Sequence, residues 1–342
     1  MAPKRLTLEE VARITGVSRS TVSRVVNDEP NVSAEVRQRV RRVVEEIGYH
    51  PNAAARSLAS RHSQTVGAVI PQAMNTVFVD PFFPYVLRGL AEAANENGYH
   101  LMLSMVDRPM EQDFYRRALR SQLLDGVIIV SALLDDPLVP RLLRDHIPFV
   151  TIGRHLHEAE VNYVDTDNVR GARTATEHLL RQGRQRVATI TGPLNMVPGL
   201  DRREGYRAAL RAANMPIDEA LIVEGDFSEA GGFAAMQRLL PLKPDAVFIA
   251  SDLMAVGALR AISQAGRRVP EDVALVSFDD APIATYTDPP LTTVRQPMYE
   301  LGVNAVRLLV RLLKEDVDGP LRTILPTELV IRASCGAQGR SN

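Results

Sequence analysis

From Thr65 onward the chain alternates short apolar runs with amphipathic segments at helical spacing, and this alternation limits its fold more than any other feature. The apolar runs predict strands over Val66–Ile70, His100–Ser104, Gly126–Val130, Pro148–Ile152, Arg186–Thr191, Ala246–Ala250 and Val273–Ser277. Between them the spacing predicts helices over Tyr85–Asn97, Asn168–Gln182, Arg202–Ala213, Glu229–Leu240 and Asp252–Ala265. Strands that alternate with helices build parallel sheets covered on both faces. Roughly 270 residues of this texture are large for one sheet, so two α/β lobes are expected. Ligands of such sheets bind beyond the carboxyl ends of the strands.

The first fifty residues read differently, as three short helices. Thr7 with Glu10 makes a capping box, so the first helix should begin near Leu8 and stop before Gly16, with Leu8, Val11, Ala12 and Ile14 inward. Ser18 can cap a second helix, from about Arg19 to Val26. Ser33 can cap a third that runs through Ile47 and is stopped by Gly48. Gly16 permits a tight turn between the first two, which is the geometry of a helix-turn-helix. Arg19, Ser20, Ser23 and Arg24 then fall near the exposed face of the second helix. Arginine can pair guanine O6 and N7 in a bidentate way, while serine and threonine grip phosphates. Pro51 and Asn52 break the pattern before a helix-capable stretch, Ala53 to Ser60.

Charge divides at the same place. Residues 1–62 carry eleven Lys and Arg against seven Asp and Glu, a net +4, and the remainder carries 29 against 34, a net −5. A basic head on an acidic body suits a polyanion partner for the head alone. No apolar run is long enough to span a membrane. The basic start meets Glu9 and Glu10 without an apolar stretch, so no secretory leader is expected. The one cysteine, Cys335, fits a reducing cytoplasm. Enzyme signatures are missing: no P-loop, no GxSxG and no GxGxxG after a strand. His155, His157 and Glu158 are the one metal-like group and read as a solvated loop. No cofactor is expected.

The stretch Leu6 to Ala59 resembles the head and hinge of the lac/galactose repressor family. AxxxGVSxxTVSRVxN (Ala12 to Asn27), a spaced VSxxxRxxV, GYxPN and RSLA occur in family order. The resemblance implies that Arg19 and Ser20 read bases and that Arg24 is a further base contact. It places Thr7, Ser18, Thr21, Ser23 and Asn27 on the phosphate backbone. Asn52, Leu58 and Ala59 match the hinge helix, with Leu58 at the wedge position in the minor groove. The implied domains are a helix-turn-helix over 1–50, a hinge over 51–63, a body over 64–332 and a tail over 333–342.

The body resembles a periplasmic sugar-binding protein, two lobes joined by three crossings with the ligand between them. The implied lobes are 64–163 plus 298–325, and 164–294 plus 326–332. A sugar cleft needs carboxylates, amides and guanidinium for hydroxyls, and aromatic faces for the apolar side of the ring. Phe82, Phe83, Asp167, Arg202, Phe227, Ser251, Asp279 and Gln296 match the family's effector positions. Asp252 reads as a helix cap. The implied function is a repressor, acting as a homodimer on palindromic operator DNA and controlled by a small sugar. A transport-type sugar-binding protein shares the body fold, and a purine is an alternative effector. After Ile331 the sequence lacks the leucine heptads a tetramer would need, so a dimer with a frayed tail is expected.

Overall fold

The computed structural model describes residues 7–27, 29–49, 62–71, 74–106, 111–119 and 123–337. The hinge positions Asn52, Leu58 and Ala59 lie outside these. Two compact units result, Met1–Ser63 and Gln64–Asn342.

The head is three helices, α1 (Leu8–Thr15), α2 (Arg19–Val26) and α3 (Ala34–Glu46). Each start is capped as the residues dictate. Thr7 Oγ1 accepts from the Glu10 N–H at 3.3 Å while the Glu10 carboxylate accepts from the Thr7 N–H at 2.9 Å. Ser18 and Ser33 accept from Thr21 and Val36. Gly16 takes φ 67° to leave α1, a conformation costly for any side chain with a Cβ. Val11, Val22, Val25, Val40 and Tyr49 form the core. Ile14, expected inward, is 48% exposed. Thr15 is buried instead, its hydroxyl donating to the Val11 carbonyl at 2.7 Å. Positions four apart lie closer on a helix face than positions three apart, so the stripe from Val11 runs to Thr15.

The body holds two six-stranded sheets. The first comprises β1 (Thr65–Ile70), β2 (His100–Met105), β3 (Gly126–Val130), β4 (Phe149–Ile152), β5 (Tyr163–Thr166) and β11 (Arg322–Leu325), in the order β11-β5-β4-β3-β1-β2, all parallel. The second comprises β6 (Val187–Thr191), β7 (Ile222–Glu224), β8 (Ala246–Ile249), β9 (Ala274–Asp279), β10 (Thr292–Arg295) and β12 (Glu328–Val330), ordered β12-β10-β9-β8-β6-β7, with only β12 antiparallel. Successive side chains of a strand point to opposite faces. Val127 and Ile129 therefore pack with Leu138 and Leu142 on one face of the first sheet, while Ile128 packs with Leu90 and Leu309 on the other. In the second sheet Phe248 and Phe278 meet Tyr206 and Leu179, and Val247 and Ile249 meet Met254.

The chain crosses between the sheets after β5, after β10 and between β11 and β12. The first crossing corrects the expected boundary at 163–164: β5 pairs with β4 and β11, so the first lobe keeps the chain through Thr166. After β10 the Met298–Lys314 helix returns to the first sheet and packs on the Phe82–Glu96 helix. The approach is close enough that a Cβ on Gly89 would stand 2.2 Å from the Tyr299 carbonyl oxygen. The tail from 333 also needs correction. Ser334 and Cys335 are fully buried. Ser334 Oγ accepts from the Thr292 N–H and donates to the Leu275 carbonyl, each at 2.8 Å, which fastens this segment to the second sheet through at least Cys335. No described helix is long and apolar enough to cross a membrane.

Candidate DNA-reading head and effector cleft

On α2, Arg19, Ser20 and Arg24 are exposed, and Thr21 and Ser23 are half-buried beside them. Arg19 pairs with Glu9 at 2.8 Å, both side chains more than 60% exposed. A pair in that setting is worth little, so the guanidinium is available to a base edge. The Ser18 hydroxyl caps the helix and lies 2.8 Å from both the Ser20 and Thr21 hydroxyls. The first N–H groups of a helix have no partner within it and favour an anion such as a phosphate. Asn27 ends the helix, exposed, with its amide donating to Ser23 Oγ at 3.4 Å. Thr7, in its capping box, is exposed at the start of α1.

Between the two sheets lies a cavity of about 110 Å³, room for several waters. Its lining follows a rule: nearly every strand that reaches it contributes from its carboxyl end. Ser131 follows β3, Arg154 follows β4, and Asp165 and Thr166 end β5. Pro193 follows β6, Asp226 and Phe227 follow β7, Ser251 follows β8, Asp279 ends β9 and Gln296 follows β10. Phe82 and Phe83 line it from the start of their helix, and Arg202 from the second turn of the Val197–Ala212 helix.

Arg202 is the centre of the polar network. Only 4% exposed, it donates from Nε to Asn168 Oδ1 at 2.9 Å and from Nη1 to the Ala250 carbonyl at 2.6 Å. Its guanidinium stands 3.5 Å from Asp279 Oδ1 and stacks 3.8 Å from the centre of the Phe278 ring. Gln296 Nε2 donates to Asp279 Oδ1 at 2.6 Å. Burial lowers the Arg202 pKa against the pull of Asp279, and burial raises the Asp279 carboxyl well above its usual range against the pull of Arg202. Burial likewise raises Asp80, and pushes Asp165 up to about 6. Phe227 is held at φ 64°, with its ring so close over Gly192 that a Cβ there would lie 2.1 Å from a ring carbon. A non-glycine residue held in that region marks a position fixed by its surroundings.

Seven of the eight expected effector residues meet at this cavity: Phe82, Phe83, Arg202, Phe227, Ser251, Asp279 and Gln296. Asp167 does not. It caps the Asn168–Arg181 helix, its carboxylate accepting from the Arg170 N–H at 3.1 Å. Its neighbours on either side, Thr166 and Asn168, line the cavity instead, as does Asp165. Asp252 is not a cap; Ser251 is, accepting from Met254. Asp252 instead ties β9 to β10, taking hydroxyl hydrogen bonds from Ser277 at 2.5 Å and Thr293 at 2.7 Å. Asp80, Arg154, Asp165, Asn168 and Asp226 are lining residues that the sequence reading passed over. The carboxyl-end rule, applied strand by strand, would have found most of them. Cys335 lies 3.3 Å from His178 Nε2 in the core. Among the described residues no three of His, Cys, Asp and Glu are grouped to hold a metal.

Comparison with known proteins decides what this pairing of units is. A signature described as "Bacterial regulatory proteins, lacI family" matches residues 7–52, and one described as "Periplasmic binding protein-like domain" matches residues 176–335. The HTH-type transcriptional regulator CelR of Thermobifida fusca is 43% identical over 335 residues, 97% of this chain and 98% of that protein. The ribose operon repressor of Escherichia coli is 36% identical, covering 89% of this chain and 92% of its own length. The chain belongs to the lacI family.

Solved structures agree with that assignment for both units. A complex of CelR with cellobiose has a TM-score of 0.77 at 42% identity, covering 96% of this chain and all of that one. The lac repressor dimer bound to operator and an anti-inducer has a TM-score of 0.85 at 30% identity, covering 97% and 99%. This lacI-family protein is therefore a DNA-binding transcriptional regulator and not an enzyme.

Proposed function

We propose that this regulator is a cytoplasmic homodimeric repressor that reads a palindromic operator, and that a neutral sugar of the cellobiose class sets its DNA affinity from the cleft. The observation that carries the effector half is the ring of Asp165, Asn168, Arg202, Asp279 and Gln296 facing Phe82 and Phe227 across one cavity. Alternating hydroxyls require donors and acceptors side by side, and the C–H face of a sugar ring requires an aromatic surface. A CelR 42% identical to this chain was solved with cellobiose, which supports a disaccharide over a free pentose. The dimer follows from contact area. One eight-residue recognition helix makes too few contacts for specificity, and a two-fold pair reads two half-sites about one helical turn, 34–36 Å, apart.

Calorimetric titration of the full chain with cellobiose, maltose, ribose and hypoxanthine tests the effector, with light scattering on the same sample for the dimer. Cellobiose should bind at least about tenfold tighter than ribose, the equivalent of roughly 1.4 kcal/mol, and should shift the operator-binding curve. Binding of hypoxanthine alone, or a monomer that stays monomeric on a palindromic operator, overturns the reading.

A further inference from the structure

The lobes meet at the mouth of the cleft as well as at the three crossings. Arg154, the second residue beyond β4 in the first lobe, reaches Asp201 on the Val197–Ala212 helix of the second. Both terminal nitrogens donate, Nη2 to Oδ1 at 2.6 Å and Nη1 to Oδ2. The Asp201 side chain is 7% exposed and that of Arg154 32%, so water screens the pair only in part. A second link lies nearby: the Leu134 N–H of the first lobe donates to the Asn195 carbonyl of the second at 2.9 Å.

Each member of the ion pair is also joined to the groups that line the cavity. The Arg154 backbone N–H donates to Asp165 Oδ2 at 3.2 Å. Asp165 Oδ1 accepts from Asn168 Nδ2 at 3.2 Å, and Asn168 Oδ1 accepts from Arg202 Nε at 2.9 Å. Arg202 follows Asp201 in the chain, which closes a circuit of five residues across the gap between the lobes.

We propose that Arg154 and Asp201 are positioning residues that latch the lobes across the cleft mouth and tie lobe closure to the groups that meet the effector. Two parallel charge-assisted bonds from a planar fork are made or lost together when the lobes part, so the pair behaves as a two-state contact. A ligand lying against Asp165, Asn168 and Arg202 touches three of the five members and shifts the balance between latched and open. This meaning rests on reading the cleft as the effector site. The latch itself is testable without any effector.

The Leu134 amide is the probe, because its bond to Asn195 exists only while the lobes are together. Hydrogen exchange on the ligand-free full chain compares wild type with Arg154→Met, Asp201→Asn and the double variant. Each single change should speed exchange at Leu134 by about tenfold or more, the scale of a charged hydrogen bond. The double variant should be no faster than either single, and amides within β1 and β6 should keep their protection, as a general loss of stability would not allow. Wild-type exchange in both singles, a double effect equal to the product of the two, or equal acceleration in β1 and β6 overturns the latch. Cellobiose added to wild type is a separate arm. A change at Leu134 supports the sugar reading, and none discards that reading while the latch results stand.

Discussion

In the head, the side chains proposed to read bases, Arg19, Ser20 and Arg24, stand in solvent on a small core of four valines and Tyr49. In the body, the polar side chains proposed to meet effector are buried and already bonded: Arg202 to Asn168, Ala250 and Asp279, and Gln296 to Asp279. The contrast follows from the ligands. DNA is a large polyanion that brings its own charge to an exposed surface, where desolvation is a small cost and steering matters. A small neutral ligand binds by its fit, so its partners must be desolvated and oriented beforehand, which demands internal pairing. Head residues should therefore be separable from stability, and cleft residues should not.

The largest expected effect tests the second half of that statement. Arg202→Leu removes the donor to Asn168 and Ala250 and leaves the Asp279 carboxyl without its cation in a buried site. Breaking a buried pair on one side costs roughly 3–5 kcal/mol. Thermal unfolding should show a clear loss in the body, and an effector titration should be flat. A variant with wild-type melting and a normal titration would mean that the cleft is not internally braced as described.

A smaller effect is expected at α2. Arg19→Ala and Arg24→Ala should each cost about 1–3 kcal/mol at the operator and relax preference at one base pair per half-site. Neither should shift stability by more than about 0.5 kcal/mol, because Arg24 is exposed and Arg19 gives up only its exposed pair with Glu9. Mobility-shift titrations on operators varied base by base would show it. Unchanged affinity and preference in both variants would remove these arginines from the reading face.

The same contrast explains what could be read in the sequence. A capped helix is a local device: Thr7 with Glu10, Ser18 with Thr21 and Ser33 with Val36 lie three residues apart, and all three caps form. Strands buried on both faces, such as β3 and β8, announce themselves as unbroken apolar runs. The strands passed over, β5, β7, β10, β11 and β12, are three or four residues long, carry polar residues, and depend on partners far along the chain, as Tyr163 does on Arg322. The cleft takes Asp165, Asp226 and Gln296 from the ends of such strands, and Arg154, Ser251 and Asp279 from the ends of the apolar ones. Family motifs located seven of its residues; Arg154 and Asp165 follow from the carboxyl-end rule once β4 and β5 are placed, whereas Asp80 ends no strand and no local pattern marks it.

The smallest effect separates two aspartates two positions apart. Asp167 caps a helix on its own N–H groups, and Asp165 ends β5 in the cavity. Asp167→Ala should cost about 1 kcal/mol of stability, the usual worth of a cap, and leave effector affinity alone. Asp165 should instead govern how affinity depends on pH. Burial holds its carboxyl at about 6 in the empty cleft, so it is largely ionised above that value and protonated below. A sugar hydroxyl donating to the carboxylate favours the ionised form and lowers that pKa in the complex. Affinity should therefore be full above pH 6 and fall, by up to about tenfold per unit, as pH drops through 6. Asp167→Ala should keep this profile and Asp165→Asn should flatten it. If Asp167→Ala flattened the profile while Asp165→Asn kept it, the effector would contact the cap, and the placement of the cavity wall at β5 would be wrong.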